Sequence, residues 1–526
     1  MPEWTGWKTR KETHYGDRVI DCFVDRPLSL QDMVARAGAE RGDHEALIFE
    51  EQRLTWNDVI RQSGALATGL QKLGITKGDR VVLHVGNCVE VIIAMYAVAR
   101  LGAIAVPVSA RERGPGLRYI VEHSGAACMF IDGETEAALD GEAPISTLHH
   151  RIDVRSAAYT SMLDHEIATP ADRGEEEIAV ILYTSGTTGT PKGAMISNLN
   201  LVHSAMNFVE CLGLGPEDRI LMAVPVSHVT GTIALVATTA LARGCLVVMD
   251  HFRAEPCLKL AAKERISFTV MVPAMYNLLL LRPEFAQTDL SHWRVGGYGG
   301  SVMPQVTIEK LAAVLPKMQL VNAYGATETT SPSTIQIPSY ALSHRDTVGV
   351  PAPNARIIVM DDNGREVPRG ETGELWISGP MVVPGYWRNP EATAREFTGG
   401  YWHSGDIGSI DADGFVRVLD RKKDMVNRGG YKIYSAEVES VLVAHDAVLE
   451  AAIVAKPCPV LGERVHAFVV HKPEHPNLTE ETLAEYARSQ LADYKRPETW
   501  SLRSEPLPRN ANGKVVKRAL RDLLGV

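Results

Sequence analysis

Apolar Val59, Ile60, Leu66, Leu70 and Leu73 recur at the three- and four-residue spacing of a helix, behind Thr55 as an N-cap and ahead of Gly74 as a stop. Val81-Val82-Leu83 is a short unbroken apolar run and predicts a buried strand. Asn87, with Glu90 three residues later, predicts a capping box for a helix that Gly102 closes, and 104–108 predicts the next strand. Strand, helix, strand in about thirty residues is a βαβ unit, which calls for a parallel sheet with helices on its faces. Residues 133–175 are acidic and weakly patterned, so loops and short elements are expected there. Apolar runs at 178–182, 246–249, 268–272 and 320–322 predict further strands, alternating with helical spacing near 199–211, 254–264 and 304–314.

The texture changes at Val348. The run 357–360 ends at Asp361-Asp362-Asn363-Gly364, a hairpin turn signal, and Gly370, Gly373 and Gly379 punctuate the strands beyond it. A small antiparallel β subdomain is expected over roughly 345–420. Near 421 a basic cluster appears, Arg421, Lys422, Lys423, Arg428 and Lys432, balanced only by Asp424. Beyond it, a helix at 435–445, strands at 449–455 and 464–471 and a helix at 479–492 make an α+β unit of ordinary domain size. The expected fold is α/β: residues 1–421 form a large N-terminal domain of parallel sheets with helices, including the β subdomain, and 422–526 form a small α+β domain, with a hinge near Lys423.

Composition narrows the class. The chain has 526 residues, 45% apolar and 22% charged, which suits a multidomain globular protein with a large core. A net charge of −10 offers no overall attraction to nucleic acid or anionic membrane. Seven scattered cysteines, odd in number and without a Cys-x-x-Cys pair, predict reduced thiols in a cytoplasmic protein. Arg10, Lys11, Glu12 and Asp17 leave no apolar signal segment at the start, and Glu90 and Arg100 interrupt the most apolar stretch, 89–108. That stretch reads as core, and no integral membrane segment is expected.

The candidate chemistry starts at Tyr183-Thr184-Ser185-Gly186-Thr187-Thr188-Gly189-Thr190-Pro191-Lys192-Gly193. Glycines let backbone N–H groups converge on an anion, hydroxyls add donors, and Lys192 adds a full charge; this is chemistry for polyphosphate. A flexible connector has the same composition, but the strand before it and the Pro-Lys-Gly ending argue against one. It is not a Walker A loop, because Pro191 precedes Lys192 and Gly193 follows it. Past the strand at 320–322, Asn322, Tyr324, Thr327 and Glu328 stand at a strand end, where ligands gather in open α/β sheets. Tyr324 suits a purine face, Asn322 an exocyclic amine, Thr327 a phosphate and Glu328 a magnesium ion. Asp406, beside Gly405, suits both hydroxyls of a ribose. Asp411-Ala412-Asp413-Gly414 lacks the remaining ligand spacing of a calcium loop and reads as a turn.

The 183–193 loop resembles the phosphate-binding signature of the adenylate-forming (AMP-binding) superfamily, which holds acyl-CoA synthetases, luciferases and peptide-synthetase adenylation domains. Further blocks agree in order: Tyr324-Gly325-Ala326-Thr327-Glu328 matches Tyr-Gly-x-Thr-Glu, and Ser404-Gly405-Asp406 has serine where threonine is usual. Residues 429–439 resemble the block that opens the small domain, with Ser435 where many members have proline. Pro508-Arg509-Asn510-Ala511-Asn512-Gly513-Lys514 matches Pro-Arg-x-x-x-Gly-Lys, with Lys517 in register.

The resemblance is to the acyl-CoA synthetase branch. It implies that the C-terminal domain is a mobile lid, and that ATP, Mg²⁺ and coenzyme A as co-substrate are used. It assigns ATP or AMP binding to Thr184, Ser185, Gly186, Thr187, Thr188, Gly189, Lys192, Gly300, Ser301, Asn322, Ala323, Tyr324, Gly325, Thr327, Asp406, Arg421 and Lys514. The implied catalytic residues are Lys514, Thr184, Glu328 and His228, with Glu328 as the metal ligand. Lys423 falls at the hinge, Gly429 and Gly430 on the pantetheine path, and Ser435 is expected to cap the helix that follows.

The block Pro225 to Gly231 resembles the one whose histidine, here His228, borders the acyl site; Val229, Tyr276, Tyr298, Gly299 and Thr329 are expected to line the rest. Ser301 and Val302 depart from the usual Gly-Gly-Ala-Pro pattern, which bears on acyl-pocket shape more than on ATP. No aspartate for a substrate amine stands in 225–231, and no carrier segment follows residue 526. The expected partners are therefore a small carboxylic acid, fatty or aromatic, ATP and coenzyme A, with no nucleic acid and a homodimer left open. An adenylate-only or luciferase-like enzyme, or a stand-alone adenylation domain loading a carrier protein, shares the first half-reaction and stays open.

Overall fold

The computed structural model describes residues 4, 8–133, 135–139, 144–184, 190–301, 303–340, 343–509 and 515–525. The chain divides into two compact units. One comprises Met1–Ser301, Lys310–Ile357 and Ile377–His403; the other comprises Val302–Glu309, Ile358–Trp376 and Ser404–Val526.

The first unit is built on two large sheets. In the six-stranded sheet the order is Lys192–Ser197, Ile178–Thr184, Ile104–Pro107, Arg80–Leu83, Cys128–Ile131 and His150–Asp153. Arg80–Leu83 runs parallel to Ile104–Pro107 across the helix Val89–Leu101, as the βαβ pattern requires. That helix is buried almost all round, with Ile92, Ile93 and Ala94 inaccessible, so the apolar stretch near residue 90 is core. Among the described residues, no helix is long and apolar enough to cross a membrane.

The nine-stranded sheet holds Glu45–Phe49, Cys245–Val248, Arg219–Met222, Phe268–Met271, Val295–Tyr298 and Gln319–Tyr324 in parallel. Antiparallel strands close it at both edges, Gln52–Thr55 on one side and Thr334–Ile335 followed by Val350–Pro351 on the other.

Local signals and local structure agree at the helix Trp56–Lys72. Thr55 caps it, and Asp58 returns the bond to the Thr55 backbone, a full capping box. The Asn87 expectation fails. Cys88 is the N-cap, without a side-chain bond, and the Asn87 amide instead bridges other chain segments. Its Nδ2 donates to the carbonyls of Val224 and Met249, and its Oδ1 accepts the Val226 N–H. A buried amide able to satisfy three distant backbone groups gains more there than at a helix end already free to splay. The acidic section holds short elements, as expected: the strand His150–Asp153 and the helix Ala157–Met162, each burying only one or two side chains.

In the second unit, Val448–Cys458 and Gly462–His471 form a long antiparallel pair, and Thr499–Arg503 adds in parallel. Alternate residues feed separate apolar clusters. Ile453, Val465, Ala467 and Val469 pack with Val438 and Leu442 of the helix Ser435–Val443 and with Leu483 of the helix Glu480–Gln490. Ala452, Val454, Phe468 and Val470 pack with Leu507 and with Leu520 of the terminal helix Lys517–Leu523. Both sheet faces are therefore covered, which explains the near-continuous apolar run at 465–470. The turn at 361–364 forms as expected, with Asp361 Oδ1 accepting the N–H groups of Asn363 and Arg365, both at 2.8 Å.

Candidate active site

Val295–Tyr298 and Gln319–Tyr324 run parallel, with Tyr298 opposite Asn322, so both strands deliver their carboxyl ends to one edge of the sheet. There Gly299 passes so close to its neighbour that a Cβ would sit 2.5 Å from the Ala323 carbonyl oxygen. Only glycine permits that approach. Asn322 hydrogen-bonds the Tyr298 side chain, whose hydroxyl burial pushes up to about 12 even against that bond. Tyr324, Gly325 and Thr327 are half-buried, Ala323 is buried, and Gly300 and Ser301 are exposed.

The short 3₁₀ turn Thr327–Thr329 then aims Glu328 toward the other large sheet. Its backbone carbonyl accepts the Val383 N–H at 2.9 Å. Its carboxylate, 8% exposed, meets Thr184 Oγ1 at 3.5 Å and the Tyr386 hydroxyl at 3.0 Å, both through Oε1. Thr184 ends one strand and Lys192 begins the antiparallel one, and the register sets them opposite each other. Lys192 Nζ lies 2.5 Å from Glu396 Oε2, 3.3 Å from the Tyr386 hydroxyl and 4.3 Å from the centre of the Tyr386 ring. The tertiary structure thus gathers Thr184, Lys192 and Glu328, far apart in sequence, around one buried tyrosine.

Tyr386 and Glu396 were missed by sequence reasoning. The only local signal is Asn389-Pro390, which caps and opens the helix Pro390–Glu396 and leaves Glu396 at its last position. Burial pushes the Tyr386 hydroxyl far up, reinforced by the negative charges of Glu328 and Glu396. Glu396 shifts down overall: burial raises it, but hydrogen bonds from Lys192, Tyr386 and Arg395 outweigh burial.

The expected acyl-side residues are placed more variously. His228 is half-buried and Val229 buried at the entrance to the π-helix Thr230–Ala237, a rare geometry that is frequent at functional sites. Tyr276 and Thr329 do not present open surfaces. Tyr276 is wholly buried and donates to the Gly297 carbonyl at 2.9 Å, and Thr329 closes its own turn by accepting the Ala326 N–H at 3.0 Å. Thr330, next in the chain at φ +51°, is wholly buried, and its hydroxyl has no hydrogen-bond partner among the described residues.

In the second unit, Asp406 is buried and pairs in register with Arg421, whose Nε lies 3.1 Å from Asp406 Oδ1. Ser404 Oγ accepts the Asp406 N–H at 3.0 Å, so the serine hydroxyl tightens the turn. Lys423 has its ammonium pushed down by burial, and its carbonyl accepts Arg521 at 3.3 Å. Gly429 and Gly430, at φ +59° and +92°, form the tight turn between Val426–Arg428 and Tyr431–Ile433. That turn needs two positive φ angles, so glycine there has a structural cause of its own.

Ser435 is a correction. Tyr434, not Ser435, is the N-cap, and Ser435 is the first helical residue, the position proline favours. Its N–H and hydroxyl both go to Asp420. Ser185, Gly186, Thr187, Thr188, Gly189, Val302 and Lys514 lie outside the described residues.

The arrangement suits a hard divalent cation. Glu328 Oε2 carries no hydrogen bond among the described residues, and Thr184 Oγ1 supplies a second oxygen donor beside it. The other candidate metal cluster, Glu12, His14 and Cys22, does not suit one. Arg26 sits 2.7 Å from Glu12 Oε2, and burial pushes the Cys22 thiol up to about 12, so a cation would meet a guanidinium and a protonated thiol.

Known proteins share this architecture. The AMP-binding enzyme family matches residues 34–387, and the AMP-binding enzyme C-terminal domain matches 437–514. A long-chain-fatty-acid–CoA ligase of Escherichia coli O6:H1 is 31% identical, covering 95% of each chain. A feruloyl-CoA synthase of Amycolatopsis is also 31% identical, over 90% of this chain and 94% of that one. The structure of o-succinylbenzoate CoA synthetase from Bacillus subtilis, in complex with its acyl-adenylate intermediate, superposes with a TM-score of 0.82 at 27% identity, covering 93% of this chain and 98% of that one.

Proposed function

This chain belongs to the AMP-binding enzyme family, and from that premise we propose that it is an ATP-dependent acid–thiol ligase converting a carboxylic acid to an acyl-adenylate and then to an acyl-CoA thioester. The observation that carries the reading is the convergence of Lys192 and Glu328 on Tyr386, with Thr184 beside Glu328.

A carboxylate is a poor acylating agent because oxide is a very poor leaving group. Attack of the acid's carboxylate oxygen on the α-phosphorus of ATP forms the acyl-adenylate and breaks the bond to pyrophosphate. Two anions must meet for this, so the site has to supply positive charge and donors aimed at the phosphates. Lys192 supplies charge and Thr184 a hydroxyl, and we assign Ser185 to Gly189 to the same phosphates. Glu328 and Thr184 would hold Mg²⁺, which neutralises phosphate charge when bound. Asn322 and Tyr324 are assigned to the adenine, Asp406 to the ribose with Arg421 orienting its carboxylate, and Lys514 to the adenylation step. In the second half-reaction the coenzyme A sulfur attacks the acyl carbonyl, its proton is lost, and AMP departs; Gly429 and Gly430 are assigned to the pantetheine path.

His228, Val229, Tyr298 and Gly299 are assigned to the acid, with Tyr276 and Thr329 supporting that wall. The relatives named for long-chain fatty acids and for a feruloyl group point to an apolar acid, aliphatic or aromatic. The test is pyrophosphate release from Mg·ATP across short, medium, long-chain and aromatic acids, with and without coenzyme A. The proposal expects acid-dependent release and a thioester product that needs coenzyme A. Strong release with no thioester would mark an adenylate-only enzyme instead.

A further inference from the structure

Lys192 is not a free surface cation. Its ammonium, 8% exposed, is held by Glu396 Oε2 at 2.5 Å. Any polyphosphate recruited by Lys192 has to compete with that carboxylate. Tyr386 sits between, 2% exposed, with one hydroxyl proton facing two acceptors: Glu328 Oε1 at 3.0 Å and Glu396 Oε2 at 2.7 Å. It can donate to only one at a time. The shorter contact is to Glu396 Oε2, so Glu396 holds the tyrosine hydroxyl as well as the ammonium.

We propose that Glu396 is a resident counter-anion that the nucleotide's polyphosphate displaces from Lys192, with Tyr386 holding Glu396 as this happens. The inference rests on the adenylation reading above. When Lys192 turns to phosphate, Glu396 Oε2 loses its cation and keeps the Tyr386 hydroxyl, 2.7 Å away. Its other oxygen keeps Arg395 at 2.8 Å. No covalent bond changes and the proton stays on the tyrosine. Tyr386 and Arg395 together keep the half-buried Glu396 carboxylate hydrogen-bonded once the lysine has moved, which limits the cost. Lys192 is suited to the exchange: it is a point charge on a flexible stem, and its backbone is pinned in register opposite Thr184.

The experiment compares ATP binding by calorimetry, and KM for ATP and for the acid, in wild type, Glu396→Gln, Glu396→Asp, Lys192→Met and the double variant. Glu396→Gln should bind ATP about fivefold tighter, as expected for removing one competing ion pair of modest strength. It should lower KM for ATP and leave KM for the acid in place. Glu396→Asp, which keeps the charge, should stay near wild type. The double variant should bind ATP no tighter than Lys192→Met alone, because the effect acts through the lysine. Glu396→Ala, read the same way, covers a glutamine variant that fails to fold. Equal or weaker ATP binding by Glu396→Gln, or tightening that persists without Lys192, overturns the inference alone. A wild type that binds no ATP overturns the adenylation reading and this inference with it.

Discussion

The ammonium of Lys517 lies 2.6 Å from the Ser435 hydroxyl, and that hydroxyl donates in turn to Asp420 Oδ1 at 2.9 Å. The same ammonium holds Glu439 Oε1 at 2.6 Å, and the Ile453 N–H reaches that oxygen at 2.8 Å. Burial pushes both carboxyls up, against the pull of Lys517 and their hydrogen bonds. One cation therefore serves two acids, Asp420 buried and Glu439 half-buried, at the start of the helix Ser435–Val443.

Removing that cation should be costly. Lys517→Met is expected to lower the urea-unfolding free energy by about 2–4 kcal/mol, because both carboxylates lose their compensation. Ser435→Pro fits the first helical position but loses both donors to Asp420, and should cost about 1–3 kcal/mol. A proline variant as stable as wild type would show that these bonds contribute nothing net.

A pH dependence follows from His203. Its Nε2 accepts the Phe23 N–H at 3.2 Å and its Nδ1 donates to the Leu199 carbonyl, so the folded protein holds the neutral ring. Burial pushes its pKa down from 6.5 to about 3. The unfolded chain therefore binds the extra proton first. The contribution is whole above pH 6.5 and is lost as pH falls toward 3, by about 1.4 kcal/mol per unit. His203→Gln should unfold with a shallower pH slope between pH 6 and about 4.5 than wild type, as read from urea midpoints. Equal slopes in both proteins would refute this.

Gly299→Ala tests the close approach of the two strand ends. A Cβ there would lie 2.5 Å from the Ala323 carbonyl oxygen, so the backbone must shift by overpacking, at about 1–3 kcal/mol. A fall in melting temperature with a rise in KM for the acid is the expected result. An unchanged KM for the acid would remove Gly299 from the acyl wall.

Lys514→Ala should cut adenylate formation by about 10²–10³. Thioester formation from a supplied acyl-adenylate should be spared. Equal loss in both half-reactions would rule out a role confined to the first.

Legibility followed range. Thr55 and Asp58 cap their own helix, and the turn at 361–364 closes on its own aspartate, so three or four residues of sequence hold each whole interaction. Asn87 carried the same kind of local signal and was drawn elsewhere, because three buried backbone groups from distant segments needed its amide. Ser435 likewise looked like a cap but serves a carboxylate fifteen residues upstream and a lysine near the chain end. The pair Tyr386 and Glu396 had no readable mark, since its partners Lys192 and Glu328 lie 194 and 58 residues from Tyr386.

By itself the sequence determined the βαβ architecture, the compact C-terminal unit and the class of chemistry. Hydrophobic period and turn residues encode the first two, and motif blocks whose spacing survives along the chain encode the third. Only the tertiary structure decided which charges face one another. Lys192 reads in sequence as a cation free to meet phosphate; in the fold it is already paired with Glu396 and stacked on Tyr386. Electrostatic partnership depends on distance in space, and sequence spacing carries no record of that distance once the partners lie on different elements.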